Sequence, residues 1–290
     1  MKKIIILSAV LALLASSCSN EETSNDNQIL APVRVHVNDF SVSMDEFPES
    51  QTRATDIANY NDVKAITLAF YNGTTEEYKT TQLRSSATNF GDFSLSLPIG
   101  SYTMVVVGYA LLDGDEFTLT SPTSASFSPK ARETFVNTQT VNITNAAAVD
   151  ISATLERIVS RLKVDSTDGR TANAASVRMT LSAGGKSFNP STGAATVNTG
   201  FTNTLNISAA VGNTTSSTSF LFLASDEQDI NVTIETLDAD GNPLFSKTVE
   251  NVPLKRNRIT TLSGTMYTNP SVGGAFQVNT DWLTGNNVPF

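Results

Sequence analysis

Apolar and polar residues alternate with a period of two along many short segments, and this pattern constrains the fold more than any other sequence feature. The first such segment carries valines at positions 33, 35 and 37 with polar residues between them. Comparable segments follow at residues 66–70, 93–97, 177–181, 220–223 and 230–234. Because successive side chains of a β-strand point to opposite faces of the sheet, this alternation predicts half-buried strands.

One segment is apolar on nearly every residue, which predicts a different environment. Residues 102–107 form an almost continuous apolar run, as expected of a strand that is buried on both faces. Gly, Asn, Asp and Pro separate the strand patterns, and we find no long amphipathic helix. The sequence therefore predicts an all-β protein built from β-sandwich or Greek-key domains.

The chain divides near residue 150. Small residues at 146–149 follow a strand pattern over 135–144, and a new apolar pattern begins at Ile151. The two halves have similar length and similar strand patterns. We therefore predict an N-terminal β-sandwich domain over residues 30–148 and a C-terminal β-sandwich domain over residues 149–290.

The N-terminus has the features of a secretory signal peptide. Lys2 and Lys3 precede an apolar run over residues 4–15, which is too short for a permanent membrane span. Cys18, the only cysteine of the 290 residues, follows small residues at 15–17. This arrangement resembles a bacterial lipobox, in which the leader is cut just before the cysteine and the sulfur receives a lipid. The alternative is an ordinary signal peptide, over residues 1–17, followed by an incidental cysteine.

The segment after Cys18 is polar and acidic. Residues 18–29 lack aromatic side chains, and we predict a disordered tether between the lipid and the fold. Residues 19–22 resemble the short acidic signals that send lipoproteins of the Bacteroidetes to the outer surface. The alternative is a soluble linker without a targeting role.

The sequence offers few groups for catalysis or metal binding. His36 is the only histidine and lies inside a strand pattern, which excludes a multi-histidine metal site. If the only thiol, Cys18, carries a lipid, no free thiol remains for a Cys–His pair. Residues 238–242 resemble the start of a calcium loop, but Val249 stands where the loop needs glutamate, so we predict a hairpin turn. We expect no enzyme activity and no cofactor; the alternative is an enzyme such as a glycosidase, which would need a cleft where carboxylates from distant strands converge. The net charge of −9 argues against nucleic-acid binding.

Four features, taken in order along the chain, carry a family resemblance. They are the lipobox at Cys18, residues 63–71 with 97–106, residues 155–162, and residues 252–260 with the tail from Gly264 to Trp282. Their order and spacing resemble the fimbrillin superfamily of the Bacteroidales, which contains FimA-type pilins and related minor, anchor and tip subunits. The resemblance implies two transthyretin-like Greek-key β-sandwich domains. It also implies a subunit of a cell-surface fimbria (pilus) that supports adhesion, with other fimbrial subunits as partners.

The resemblance further implies processing at Arg53. In the family, an arginine-specific protease cuts near the end of the first strand, which here would separate Arg53 from Ala54. The strand over residues 30 to about 42 would then leave, and a strand from a neighbouring subunit would fill the open groove. The precursor would be held at the outer membrane by its lipid until that step. The alternative is an uncut loop arginine, since anchor subunits of the family keep their N-terminal region.

The C-terminal segment is the candidate donor strand. Its pocket-filling side chains would be Phe276, Val278, Trp282, Leu283, Val288 and Phe290. The alternative is that residues 276–282 form the last strand of the second domain.

Two further hypotheses concern glycans. Residues 165–167 match a short pattern for O-glycosylation in Bacteroidetes, with Ser166 as the acceptor. A competing function is a surface lipoprotein that binds glycans and never polymerises, using exposed aromatic residues such as Tyr60, Tyr71 and Tyr109. The strand pattern alone, however, predicts that most of these residues lie in cores or turns. The sequence identifies no host ligand.

Overall fold

The fold is known from a computed structural model, which describes residues 28–41, 55–56, 60–268 and 276–279. These residues form strands and turns but no helix, so the all-β prediction is confirmed. Within them there is accordingly no helix of the length and apolarity that crossing a membrane requires. Several predicted features lie outside the described residues, namely the signal peptide, Cys18, Arg53, Ala54, Trp282, Leu283, Val288 and Phe290.

The described residues form nineteen strands. Those of the first half are β1 (Leu30–Ser41), β2 (Thr55–Asp56), β3 (Ala65–Asn72), β4 (Thr75–Leu83), β5 (Asp92–Pro98), β6 (Gly100–Tyr109), β7 (Glu116–Ser121), β8 (Ser124–Ser128), β9 (Thr134–Ile143) and β10 (Val149–Arg157). Those of the second half are β11 (Ser160–Ser166), β12 (Ser176–Leu181), β13 (Ser187–Phe188), β14 (Phe201–Asn206), β15 (Ser216–Leu221), β16 (Glu227–Leu237), β17 (Pro243–Lys255), β18 (Ile259–Gly264) and β19 (Gln277–Asn279).

The first half contains one large sheet that bends to form two layers. Its strand order is β2-β1-β10-β9-β6-β3-β4, and β5 pairs with β1. β9 and β10 pair at only two positions, so the sheet turns a corner there. The layer of β5, β1 and β10 therefore faces the layer of β9, β6 and β3 across a shared apolar core.

A second core covers the other face of β3 and β6. Val105, Val107 and Tyr109 point away from the first core and pack with the β7–β8 hairpin. Phe188 and Phe222 from the second half join the same cluster, and β13 pairs with β8. Both faces of β3 and β6 are therefore buried. The prediction of a strand with two buried faces over residues 102–107 is confirmed, although Thr103 stays partly exposed.

The second half is a sandwich of two four-stranded sheets. One sheet has the order β15-β11-β18-β19, the other β14-β12-β16-β17, and a third apolar core lies between them. Asp238 closes the β16–β17 hairpin by accepting hydrogen bonds from the backbone N–H groups of Asp240 and Asn242 at 2.9 and 2.8 Å. The segment that resembled a calcium loop is therefore a turn, as predicted.

Strand pairing places β10 with the first half. β10 runs parallel to β1 from the pair Val33–Val149 to the pair Ser41–Glu156. If the two domains are divided by strand pairing, the boundary between them lies after Arg157 and not after residue 148. The new apolar pattern at Ile151 marks a new strand of the first sheet, because alternation reports burial and not which sheet a strand joins.

Candidate functional site

The first strand is an internal strand of its sheet. β1 pairs in parallel with β10 on one side and antiparallel with β5 on the other, from Leu30–Pro98 to His36–Asp92. Further along β1, past the residues that pair with β5, the short strand β2 pairs with Asp39 and Phe40. Removal of β1 would therefore leave two strands with unpaired backbone groups facing one gap.

The side chains of β1 alternate as the sequence predicts. Val33, Val35 and Val37 are buried in the first core, while Arg34 and Asn38 face solvent. The pairing with β10 shifts by one residue between Val37 and Asp39. This bulge changes the phase of the alternation, so that Phe40 rather than Asp39 enters the core.

Phe40 occupies a pocket that depends on a glycine. Its ring lies 4.8 Å from the ring of Phe135 and 5.5 Å from that of Tyr60, measured between centroids. A Cβ atom at Gly108 of β6 would come within 2.9 Å of Phe40 Cε1 and 3.1 Å of Leu155 Cδ2. The absence of a side chain at Gly108 therefore creates the space for this ring.

Charged contacts of β1 are few and exposed. Arg34 Nη1 lies 3.7 Å from Asp150 Oδ1 on β10, and His36 Nδ1 lies 2.9 Å from Asp92 Oδ1 on β5. Exposed pairs of this kind contribute little to stability. β1 is thus held by backbone pairing and by its buried apolar side chains, among which each fully buried valine or phenylalanine contributes about 1.5–3 kcal/mol.

At the other end of the chain, β19 is an edge strand of the second domain. It pairs antiparallel with β18 over three residues, Gln277 to Asn279. Phe276 packs so closely on β18 that a Cβ atom at Gly264 would lie 2.9 Å from its ring. Val278 remains 36% exposed. The described part of the predicted donor segment therefore completes its own sheet here, which is the alternative stated from the sequence.

The predicted glycosylation residue is enclosed by the fold. Ser166 is only 5% exposed, and its hydroxyl donates to the Asp168 carbonyl at 3.0 Å while the Thr215 N–H donates to it at 2.7 Å. This geometry opposes attachment of a glycan to the folded domain. Glycosylation at Ser166 stays a prediction.

The aromatic platform proposed for glycan binding does not form. Tyr71 is 0% exposed and Tyr109 4% exposed, because each contributes to the second core. Tyr60 is half-buried, donates to Glu133 Oε1 at 2.7 Å and accepts from Arg157 Nη2 at 2.8 Å. The strand pattern places most of these aromatic residues in cores or turns, and the burial of Tyr71 and Tyr109 agrees with that interpretation because both faces of β3 and β6 are covered.

The sequence reasoning also missed Asp168. Its carboxylate accepts hydrogen bonds from the backbone N–H groups of Met266, Tyr267 and Thr268 at 2.7–2.8 Å. Burial alone would raise the pKa of Asp168, but these bonds outweigh it and lower the pKa. Within the described ranges, no group of three or more His, Cys, Asp or Glu side chains is arranged to hold a metal ion.

The fold places this chain in the class of all-β proteins that are built from two successive sandwich regions. Residues 31–284 match a family described as a family of unknown function (DUF6562), and the chain belongs to that family. No curated protein sequence matches the chain.

Solved structures provide the second comparison. A "putative adhesin" from Bacteroides ovatus is similar with a TM-score of 0.52 at 13% sequence identity, covering 88% of this chain and 94% of the other. The fimbrial anchor protein Mfa2 from Porphyromonas gingivalis gives a TM-score of 0.49 at 12% identity, covering 88% and 98%. The likeness to the Bacteroides ovatus protein shows a shared fold, and at the level of fold the resemblance to Bacteroidales surface proteins is confirmed.

Proposed function

We propose that this protein is a non-enzymatic subunit of a cell-surface fimbria. It is exported as a lipoprotein through Cys18, processed between Arg53 and Ala54, and polymerised by donor-strand exchange. The observation that carries the proposal is the position of β1, an internal strand that lies upstream of Arg53 and is held by no disulfide. The shared fold with a protein described as a "putative adhesin" supports a role in adhesion.

The groove left by β1 would suit a strand from another subunit. β10 and β5 would each present a row of unpaired N–H and C=O groups. Between them, the sites of Val33, Val35, Val37 and Phe40 would be open apolar pockets. A donor strand with apolar side chains at alternate positions would satisfy both the backbone groups and the pockets.

The C-terminal segment supplies such a pattern in this proposal. Phe276, Val278 and Trp282 are two and four positions apart, so in an extended strand they would share one face. The three valines of β1, at positions 33, 35 and 37, also share one face. Among the described residues, β19 is bonded to one neighbour over three residues, so release of this described part would break few backbone hydrogen bonds. Before exchange the lipid would hold the precursor at the outer membrane, and afterwards the subunit would reside in the fimbria at the cell surface.

Arginine-specific digestion of the purified precursor tests the proposal. We expect a new N-terminus at Ala54, followed by a ladder of oligomers that survives SDS and disappears on boiling. The matched control is the variant Arg53→Gln, which should give neither the new N-terminus nor the ladder. A complete cut after Arg53 that yields only monomer would contradict polymerisation by strand exchange.

A reversible lock on β1 separates cleavage from strand release. Arg34 on β1 and Ser94 on β5 are exposed register partners, and opposed strand positions are close enough for an engineered disulfide. In a Cys18→Ser background, the pair Arg34→Cys and Ser94→Cys should permit the cut but block the ladder until a reductant is added. A ladder that forms under oxidising conditions would show that β1 need not leave.

A further inference from the structure

A charged cavity lies where the two halves meet, and no residue of β1 or β19 lines it. Its volume is about 420 Å³, within the range of about 300–1,000 Å³ typical of small-molecule sites. The first half contributes Lys64, Arg132 and Glu133, and β11 and β15 contribute Arg161, Thr218 and Phe220. Since the chain as a whole carries a net charge of −9, this concentration of basic side chains is unusual for the molecule.

Two of the arginines that line the cavity are neutralised by carboxylates. Arg132 makes two bonds to Asp115, from Nε at 2.6 Å and from Nη2 at 2.7 Å. Arg157 Nη2 lies 2.9 Å from Glu133 Oε1. The guanidinium groups of these two arginines therefore already have carboxylate partners within the protein.

Arg161 differs from both. It extends from β11, the strand between β15 and β18, and its guanidinium lies 5.9 Å from the centre of the Phe220 ring. Its Nε is buried and has no hydrogen-bond acceptor, and the side chain makes no ion pair with a carboxylate of the described residues. The two Nη groups of Arg161 have no acceptor among the described residues either, and a carboxylate in the cavity would accept two parallel bonds from them.

The remaining lining suits the body of an organic molecule. Leu111, Leu112 and Val159 provide apolar surface, and Thr218 provides a hydroxyl. We propose that this cavity binds a small organic acid, with Arg161 bonded to its carboxylate. The proposal does not depend on cleavage or polymerisation, so it can be tested on the uncut chain.

Calorimetric titration of the uncut full-length chain tests the proposal with four probes. Glucuronate and N-acetylneuraminate represent sugar acids, benzoate represents an acid with an aromatic body, and glucose is the neutral control. We expect saturable binding of at least one acid, with a dissociation constant below about 1 mM, and no saturable binding of glucose. Which acid binds most tightly identifies the body that the cavity accepts. No saturable binding by any acid, or equal binding of glucose and glucuronate, would overturn the proposal.

Variants of Arg161 assign the site. Arg161→Gln should weaken binding of the acid by about tenfold or more, while Arg161→Lys should retain part of the affinity because charge remains without the planar fork. Lys163→Gln is the matched control, because Lys163 lies two residues along β11, pairs with Asp165 at 2.7 Å and should leave binding unchanged. Unchanged affinity in Arg161→Gln would overturn the assignment.

A direct readout covers the case in which Arg161→Gln does not fold. In the unmodified chain, the Arg161 Nε–H resonance should shift on titration with the acid and saturate with the calorimetric dissociation constant. A resonance that does not move while the acid binds would place the ligand elsewhere.

Discussion

Asp168 shows at the residue scale how one carboxylate holds a chain segment. Three backbone N–H groups and the Thr268 hydroxyl donate to it, and they belong to residues 266–268, the last residues described before Phe276. The segment has no strand neighbour at this point, so the carboxylate replaces backbone pairing. The loop between β11 and β12 is thereby tied to residues that lie about a hundred positions later.

The first prediction concerns Asp168→Asn. The asparagine amide has only one oxygen to accept these bonds, and its NH₂ group would face a backbone N–H donor. We therefore expect a loss of about 1–3 kcal/mol in the free energy of unfolding. Because the folded pKa lies below the unfolded pKa, the stabilisation is present above the unfolded pKa and is lost as pH falls through the folded pKa. Urea unfolding at several pH values measures this effect, and the difference between wild type and variant should shrink in acid.

The control for this prediction is Asp240→Asn, which removes the same charge from an exposed turn. It should change the free energy of unfolding by no more than about 0.5 kcal/mol. Equal losses in the two variants would indicate a general effect of charge, and the importance of the hydrogen bonds to Asp168 would be refuted.

The second prediction concerns Tyr71→Phe. The Tyr71 hydroxyl is buried without a hydrogen-bond partner in the described residues, and burial, with a contribution from Glu76, raises the pKa of Tyr71 to about 12. Removing the hydroxyl should therefore leave stability unchanged or increase it by up to about 1 kcal/mol. Tyr102→Phe is the comparison, because that hydroxyl donates to the Pro98 carbonyl at 2.8 Å and its loss should cost about 1 kcal/mol. A clear destabilisation by Tyr71→Phe in thermal unfolding would contradict this account.

At the scale of an element, the docking of β1 depends on the match between Phe40 and Gly108. Adding a methyl group at Gly108 places Cβ 2.9 Å from Phe40 Cε1, a distance that packed atoms do not tolerate. The Phe40 ring must therefore shift, which we expect to weaken its packing and with it the docking of β1. The pocket for one side chain therefore controls how firmly a whole strand is held.

The third prediction follows from that match. Gly108→Ala should cost about 1–3 kcal/mol and speed amide hydrogen exchange within residues 33–40. Exchange in β16, which belongs to the other sandwich, should not change. The double variant Gly108→Ala with Phe40→Leu should recover part of the loss, since the smaller side chain relieves the clash. If the losses simply add, Phe40 is not the residue that Gly108 accommodates.

At the scale of the whole molecule, an aromatic cluster connects the two halves. The rings of Phe188 and Phe222 are stacked with centroids 4.4 Å apart, and Phe127 of the first half lies 6.2 Å from Phe222. The same core includes Val159, at the connection between β10 and β11. The second core is thus shared between the halves, whereas the third lies within the second half alone.

The fourth prediction tests whether this cluster couples unfolding of the halves. Phe222→Ala should cost about 3–5 kcal/mol and split or broaden the calorimetric transition, because the halves lose a shared core. Leu254→Ala, which removes a buried side chain from the third core only, should lower stability without weakening contact between the halves. A single sharp transition in Phe222→Ala, merely shifted in temperature, would show that other contacts couple them.

The sequence by itself determined the local character of the chain. Alternation predicted the strands and the buried face of β1 at Val33, Val35 and Val37, because side-chain direction in a strand has a period of two whatever its neighbours are. The turn at residues 238–242 was predictable for a similar reason, since Asp238 bonds only to residues within the turn itself.

Only the tertiary structure decided how these pieces meet. Pairing of β10 with β1, burial of Tyr71 and Ser166, and the cavity at Arg161 all depend on residues far apart in the chain. Phe40 enters the core because a bulge shifts the register against β10, and that shift involves two strands. Such features arise from contacts between segments, and a pattern read along one segment contains no information about its partner.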